Sequence, residues 1–243
     1  MNASPGPLLA LSGIDFRVGA ARILTDVSLD VGEGETLCVI GPNGAGKTTL
    51  MNVITGMTRP QQGTVTLGGV DMTRMAPHRR TRLGMARTFQ TSYLFDDLSL
   101  LENVVIAERG ARPAADSERV SPADALEQVG LGGRVLRAVG SLSHGEKRKV
   151  EIAMALVSGA RLLLLDEPMA GVSAEDVPDI VDLIRAYCSG GRSVVLVEHH
   201  MDVVLDLADR LAVLHHGLVL AVGSPDDVMA NNDVQTAYMG EEL

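Results

Sequence analysis

The sequence predicts an α/β fold built on a mixed sheet, with an antiparallel N-terminal subdomain and an inserted helical subdomain. Three observations predict it. The N-terminal third alternates short strand-like runs with Gly-rich turns. From about residue 93 to 158 the apolar pattern is helical. Beyond that, strand-length apolar runs alternate with helical patterns, the signature of a parallel sheet with helices on its faces. At 243 residues the chain is long enough for one good-sized core and a smaller lobe. The division expected is a core of about 1–90 and 159–243 and a helical subdomain of about 91–158.

Each element follows from local pattern. Ile14–Val18, Val27–Val31, Thr36–Ile40 and Val65–Leu67 read as strands. Arg109–Pro122, rich in Gly, Pro, Ala and Ser, reads as a loop. Arg161–Leu165 and Ser193–Glu198 are apolar strands, each followed by a helical pattern, near Asp176–Cys188 and near Met201–Asp209. Leu211–Leu214 and Leu218–Val222 close the chain as two strands around a His215-His216-Gly217 turn, to which no site is assigned.

Composition narrows the function classes. Hydrophobic residues make up 46% and charged residues 21%, as in ordinary globular proteins. The longest apolar runs are strand-length, far below the roughly 20 residues that span a bilayer, and no export signal is read at the start. A net charge of −10 argues against a nucleic-acid partner, which needs clustered positive charge. One basic stretch, Arg74, His78, Arg79, Arg80 and Arg82, reads as a solvated helix face after Pro77. Cys38 and Cys188 read as packing thiols in a reducing compartment.

The chemistry lies in a set of short motifs. Gly41-Pro42-Asn43-Gly44-Ala45-Gly46-Lys47-Thr48, extended by Thr49, fits the phosphate-loop pattern between a strand and a helix. Its glycines let backbone N–H groups converge on phosphates at a helix N-terminus. Lys47 is then placed to reach the β- and γ-phosphates, and the Thr48 hydroxyl to ligate Mg²⁺. Leu162–Leu165 followed by Asp166-Glu167 reads as a buried parallel strand ending in two carboxylates. Asp166 suits Mg²⁺, and Glu167 suits orienting or deprotonating an attacking water. Ser143-His144-Gly145-Glu146 has the spacing of a capping box opening an apolar-periodic helix, and such a helix start is also an anion site. Gln90, after Arg87-Thr88-Phe89, stands at the passage into the helical lobe, where its amide can touch metal or water or act as a plain linker. His199 ends an apolar strand, where ligands gather in α/β sheets. Adjacent His199 and His200 point to opposite faces, which disfavours a shared metal.

Together these residues resemble the ATP-binding subunits of ABC transporters over essentially the full chain. Within that family they look most like the subunits of branched-chain amino acid importers. The narrower likeness rests on Arg87-Thr88-Phe89-Gln90, Leu94-Phe95, Leu98–Val104, Glu167-Pro168 with Ala170-Gly171, Glu198-His199 with Met201-Asp202, and Ala237–Glu241. The resemblance implies a P-loop NTPase core of the ABC type, with ATP and Mg²⁺ as cofactors. Ser143 and Gly145 would bind the γ-phosphate of nucleotide held by a second ATP-binding subunit, identical or different. Gln90 would link the site to separate transmembrane permease subunits, and His199 would contact the γ-phosphate. Pro168 through Ser173 would line the subunit interface. A periplasmic or extracellular solute-binding protein would be an indirect partner. The chain would sit peripherally at the cytoplasmic face of the membrane.

Three departures from the family pattern stand out. Val18 replaces the aromatic that usually stacks on adenine, with Phe16, two residues back, as a possible substitute. His144 and Glu146 stand where Gly and Gln are commonest. Ser173 occupies a position often held by Asp or Asn. Other cargoes remain open: urea or amides, or export of a lipid-linked polysaccharide. A chromosome- or ribosome-acting ATPase fits less well, because no sustained heptads separate loop from acidic strand and only one such domain is present. A small-molecule kinase leaves Ser143–Glu146 unexplained.

Overall fold

The computed structural model describes residues 6–89, 93–111 and 120–239. Gln90 and most of the Arg109–Pro122 stretch lie outside them. The chain runs β1 (Leu9–Val18), β2 (Ala21–Val31), β3 (Thr36–Ile40), α1 (Lys47–Thr55), β4 (Gln62–Leu67), β5 (Val70–Asp71), α2 (Pro77–Thr81) and β6 (Met85–Arg87). Then come α3 (Leu100–Gly110), α4 (Pro122–Gln128), α5 (His144–Val157), β7 (Leu162–Asp166), α6 (Val177–Ser189) and β8 (Ser193–Val197). The last elements are α7 (Met201–Leu207), β9 (Arg210–His215), β10 (Leu218–Gly223), α8 (Pro225–Met229) and α9 (Asn232–Met239).

Two sheets result. One is antiparallel, in the order β2-β1-β4-β5; the other has the order β10-β9-β3-β8-β7-β6 and is parallel except for β10. The first two strands are longer than their apolar runs imply. Register shifts flank Ser12, Gly13 and Asp15, and these bulges break the two-residue alternation that marks a strand. β6 is three residues long, too short to leave a pattern, and pairs with β7 at the sheet edge.

Every residue of β3, β7 and β8 is buried, because both faces of the sheet are covered. Alternate side chains divide between two cores. Cys38, Ile40, Leu163, Leu165, Val194 and Leu196 join the core shared with α3–α7. Leu37, Val39, Leu162, Leu164, Val195 and Val197 join the core shared with α1 and the antiparallel sheet. The helical lobe thus has no separate interior; it extends one face of the sheet. Cys38 and Cys188 are free, and burial raises both thiols above their ordinary value.

Arg80 corrects the reading of the basic stretch as a solvated face. It is 1% exposed, with its guanidinium turned inward beneath α2. Nη1 donates to the carbonyls of Val53 and Ile54, both at 2.7 Å, Nε to Met75 O at 3.1 Å and Nη2 to Thr73 O at 3.0 Å. Two of these bonds fall on carbonyls in the last turn of α1, of which Val53 O also accepts from Gly56 N–H at 3.2 Å, and a cation there complements the negative end of the helix dipole. Arg80→Met is expected to lower unfolding stability by about 3 kcal/mol. A shift in the urea midpoint measures it; an unchanged midpoint would show that the buried cation contributes nothing.

Candidate active site

The parallel register sets the site. Val39, Val197 and Asp166 pair side by side across β3, β8 and β7, so the chain leaves all three strands along one edge. From β3 emerges the loop 41–46, from β7 Asp166-Glu167, and from β8 Glu198-His199. Ligands bind at such carboxyl edges of α/β sheets.

The loop is held from outside as well as by its own sequence. A β-carbon at Gly41 would lie 2.0 Å from the Leu214 carbonyl of β9, so only glycine fits. Ala45 N–H donates to Pro42 O at 3.2 Å, and Ala45 O accepts from Gly217 N–H at 3.0 Å. The β9–β10 turn, given no role from sequence, therefore braces the loop. Lys47, 7% exposed, folds back so that Nζ donates to Gly41 O at 2.5 Å and Pro42 O at 3.0 Å. Burial lowers the Lys47 pKa, while Glu167 and Asp166 pull it back up, which puts both carboxylates within electrostatic reach of its ammonium. Thr48 is exposed on the first turn of α1. A hydroxyl and a carboxylate near a buried ammonium form a hard-oxygen donor set that suits Mg²⁺, so the residues present fit that ion.

Glu167 has φ 49°, a left-handed conformation that costs a non-glycine residue energy. The bend is fixed by Glu167 N–H donating to Val197 O at 2.9 Å. It turns the side chain to His199, whose Nε2 lies 2.9 Å from Glu167 Oε1. His200 goes elsewhere: its Nδ1 lies 3.2 Å from Glu198 Oε2. The two adjacent rings thus engage different carboxylates. Glu198 itself is 2% exposed and accepts from Met169 N–H at 3.0 Å and His199 N–H at 2.6 Å. It ties the turn after β7 to the turn after β8, a role the sequence did not reveal.

Two arginines to which the sequence assigned no role of their own complete the arrangement. Asp166 is buried at 6% exposure, and its Oδ2 accepts from Arg87 Nη2 at 2.8 Å. Arg87 Nη1 reaches Asn52 Oδ1 on α1 at 2.7 Å, and the guanidinium lies 4.8 Å from the Phe89 ring centroid. Phe89 meets Tyr93 edge to face at 5.0 Å across the linker that contains Gln90. Arg148 of α5, 4% exposed, pairs with Glu151 and donates to Pro168 O at 3.1 Å and Phe89 O at 3.3 Å. β7, the lobe linker and α5 are thereby joined through buried guanidinium groups.

The capping box at α5 forms as its spacing predicts. Glu146 N–H donates to Ser143 Oγ at 3.1 Å, and Ser143 N–H to Glu146 Oε2 at 3.0 Å. Ser143 is exposed. A β-carbon on Gly145 would come 3.0 Å from Asp176 Oδ2, so the glycine is needed for packing against α6. Among the described residues, no hydrogen bond or ion pair connects Ser143 or Gly145 with the phosphate loop of the same chain. Ser173 Oγ donates to Asp176 Oδ2 at 2.8 Å. Phe16 is half-buried and packs on the antiparallel-sheet core, while Val18 is 62% exposed.

A phosphate loop, an acidic strand end and a capped lobe helix on one parallel sheet define an ATP-binding cassette. Comparison with known proteins agrees. The family model described as ABC transporter matches residues 24–170. The high-affinity branched-chain amino acid transport ATP-binding protein LivG of Salmonella typhimurium is 35% identical, over 97% of this chain and 98% of its own. BraF of Pseudomonas aeruginosa, named in the same words, is 36% identical with the same coverage. A crystal structure of a nucleotide-free ATP-binding cassette from an ABC transporter superposes with a TM-score of 0.86 at 30% identity, covering 97% of this chain and 100% of that one. Another, in its ADP conformation, gives 0.85 at 31% identity, over 97% and 99%. This chain belongs to the ABC transporter family and is an ABC-type ATPase. No helix among the described residues is long and apolar enough to cross a membrane.

The Arg87–Asp166 pair generates a test. Arg87→Ala leaves a buried carboxylate without its cation and is expected to cost about 3–5 kcal/mol. Adding Asp166→Asn to that variant removes the stranded charge and is expected to restore part of the loss. Urea unfolding of the two single variants and the double reads the coupling; strict additivity would mean the pair does not interact.

Proposed function

We propose that the chain is the ATP-hydrolysing subunit of an importer for branched-chain or other small amino acids, working with separate membrane permeases and pairing with a second ATP-binding subunit. The observation that carries the composite site is the start of α5. It is a capped helix N-terminus with Ser143 exposed and Gly145 buried beside Asp176, without a bond to its own phosphate loop among the described residues. An anion-binding helix start with no bond to the chain's own phosphate loop among the described residues is suited to nucleotide on a facing subunit. The cargo assignment is supported by the names of the relatives, LivG and BraF, and by nothing in the site, because the solute contacts other components.

In this reading Gly41–Gly46 wrap the phosphates with backbone N–H groups, with Thr49 adding to the start of α1. Lys47 exchanges its carbonyl partners Gly41 and Pro42 for the β- and γ-phosphates. Thr48, Asp166 and Gln90 are the residues that would hold Mg²⁺, and the ion would supply charge neutralisation for the transferring phosphoryl group. Glu167, held by its bend toward His199, orients and deprotonates the attacking water. His199 fixes that carboxylate and contacts the γ-phosphate. Phe16, beside exposed Val18, lies against the adenine ring. The phosphate-bound state closes two subunits; hydrolysis lets them reopen, and the linker at Phe89–Gln90 carries the change to the permease.

Glu167→Gln keeps the shape of the side chain but removes the base, so ATP hydrolysis is expected to fall by at least about a hundredfold. The same variant is expected to accumulate as a dimer with ATP and Mg²⁺ on size exclusion. Wild-type turnover in it would remove Glu167 from its assigned role. Stimulation of ATP hydrolysis by leucine or valine in the reconstituted complex tests the cargo separately.

A further inference from the structure

The start of α5 carries two carboxylates, an odd complement for a helix end assigned to a phosphate. Glu146 closes the capping box by accepting from Ser143 N–H at 3.0 Å. Its charge therefore stands one hydrogen bond from the residue that meets the anion. A neutral Gln would close the same box. On the other side, Asp176 Oδ2 lies 3.0 Å from where a β-carbon on Gly145 would stand. Both acids draw on the positive end of the helix dipole, and both repel a further anion brought to it. The lysines of the same helix are spent elsewhere: Lys147 pairs with Asp96 at 2.9 Å and Lys149 with Asp179 at 2.6 Å.

Two arginines from outside the helix answer Glu146. Arg134 Nη1 bonds to Glu146 Oε1, and Arg137 Nη1 lies 3.9 Å from the same oxygen. The segment that carries them is fixed without help from Glu146. Leu100 N–H donates to Arg137 O and Leu101 N–H to Val135 O, both at 3.0 Å, which ties the segment to the start of α3. Arg137 is also held by Ser141, with Nε donating to Oγ and Nη2 to the backbone carbonyl, each at 2.9 Å. Among the described residues, neither arginine forms another ion pair. Two guanidinium groups against one carboxylate leave the cluster with a surplus positive charge, and both side chains are partly exposed, at 54% and 43%. We infer that Arg134 and Arg137 are positioning residues for the composite site: by outweighing Glu146 they return the start of α5 to positive potential, so that it admits the γ-phosphate of nucleotide on a facing subunit. The role rests on the reading of α5 as a clamp for a partner's nucleotide. The arginines act through Glu146 and need not touch the phosphate. A mere brace between the lobe and α5 would behave differently, because its loss would lower stability without changing the demand for ATP, and altering Glu146 would repair nothing.

Removing the charge and then repairing it tests the role. In the full chain carrying R134Q/R137Q, the ATP concentration for half-maximal hydrolysis is expected to rise at least about tenfold, with the maximal rate little changed. Adding Glu146→Gln to that variant is expected to bring the concentration most of the way back. R134K/R137K, which keeps the charge and loses the fork, is expected to recover most of what the glutamine pair loses. If R134Q/R137Q melts early, Arg137→Gln alone is expected to show a smaller rise that Glu146→Gln again removes. An unmoved half-maximal concentration in the glutamine variants overturns the inference. So does a triple variant as impaired as the double, or a lysine pair as impaired as the glutamine pair, either of which marks a structural brace. Size exclusion of Glu167→Gln with ATP and Mg²⁺ separates the two levels of the argument. A dimer there, with no response to the charge variants, defeats the arginine role alone; a strict monomer, with hydrolysis intact in the wild type, defeats the composite site and the arginine role with it.

Discussion

The site exists because three buried strands run parallel in matched register. β3, β8 and β7 carry no polar side chains between Leu37 and Ile40, Val194 and Val197, and Leu162 and Leu165, so their alignment is set by packing on both faces. A slip of one residue in β7 would exchange Leu163 and Leu165 for Leu162 and Leu164 between the two cores. It would also carry Asp166 out of line with Val197. The carboxylates and the histidine are therefore located by apolar residues that touch no ligand. Chemistry at the carboxyl edge inherits its geometry from the interior.

Around that edge, charges are buried only where they are answered. Asp166 has Arg87, Glu198 has the N–H groups of Met169 and His199, and Arg148 has Glu151 with two carbonyls. Desolvating any of these ions alone costs several kcal/mol. Paired, they hold loops from different parts of the chain in a single arrangement. Left-handed backbone at a non-glycine residue occurs at Glu167, which a bond to β8 holds in place, and at His216 in the turn that braces the loop.

What the sequence disclosed was what is contiguous. The phosphate loop, the acidic strand end and the Ser143–Glu146 capping box are local patterns, and each occupies the element its pattern implies. Arg80 and Arg87 were illegible for the opposite reason. Their partners, Val53, Ile54, Asn52 and Asp166, lie 26 to 79 residues away, and an arginine within a basic stretch reads as solvated. Glu198 looked like the end of a strand; its two turns meet only in three dimensions. β6 was lost in its brevity, and the early parts of β1 and β2 in their bulges. The contact between Gly217 and Ala45 left no trace in either segment.

The inward turn of Arg80 has a mechanical consequence. Helix α1 carries the phosphate-binding loop at its front and delivers its last carbonyls, Val53 and Ile54, to a fixed cation at its rear. That cation is also pinned to Thr73 and Met75. The helix is consequently a strut clamped at both ends. A push at its nucleotide end cannot be absorbed by fraying at the other; it is delivered, nine residues away, to the surface turn that follows β5.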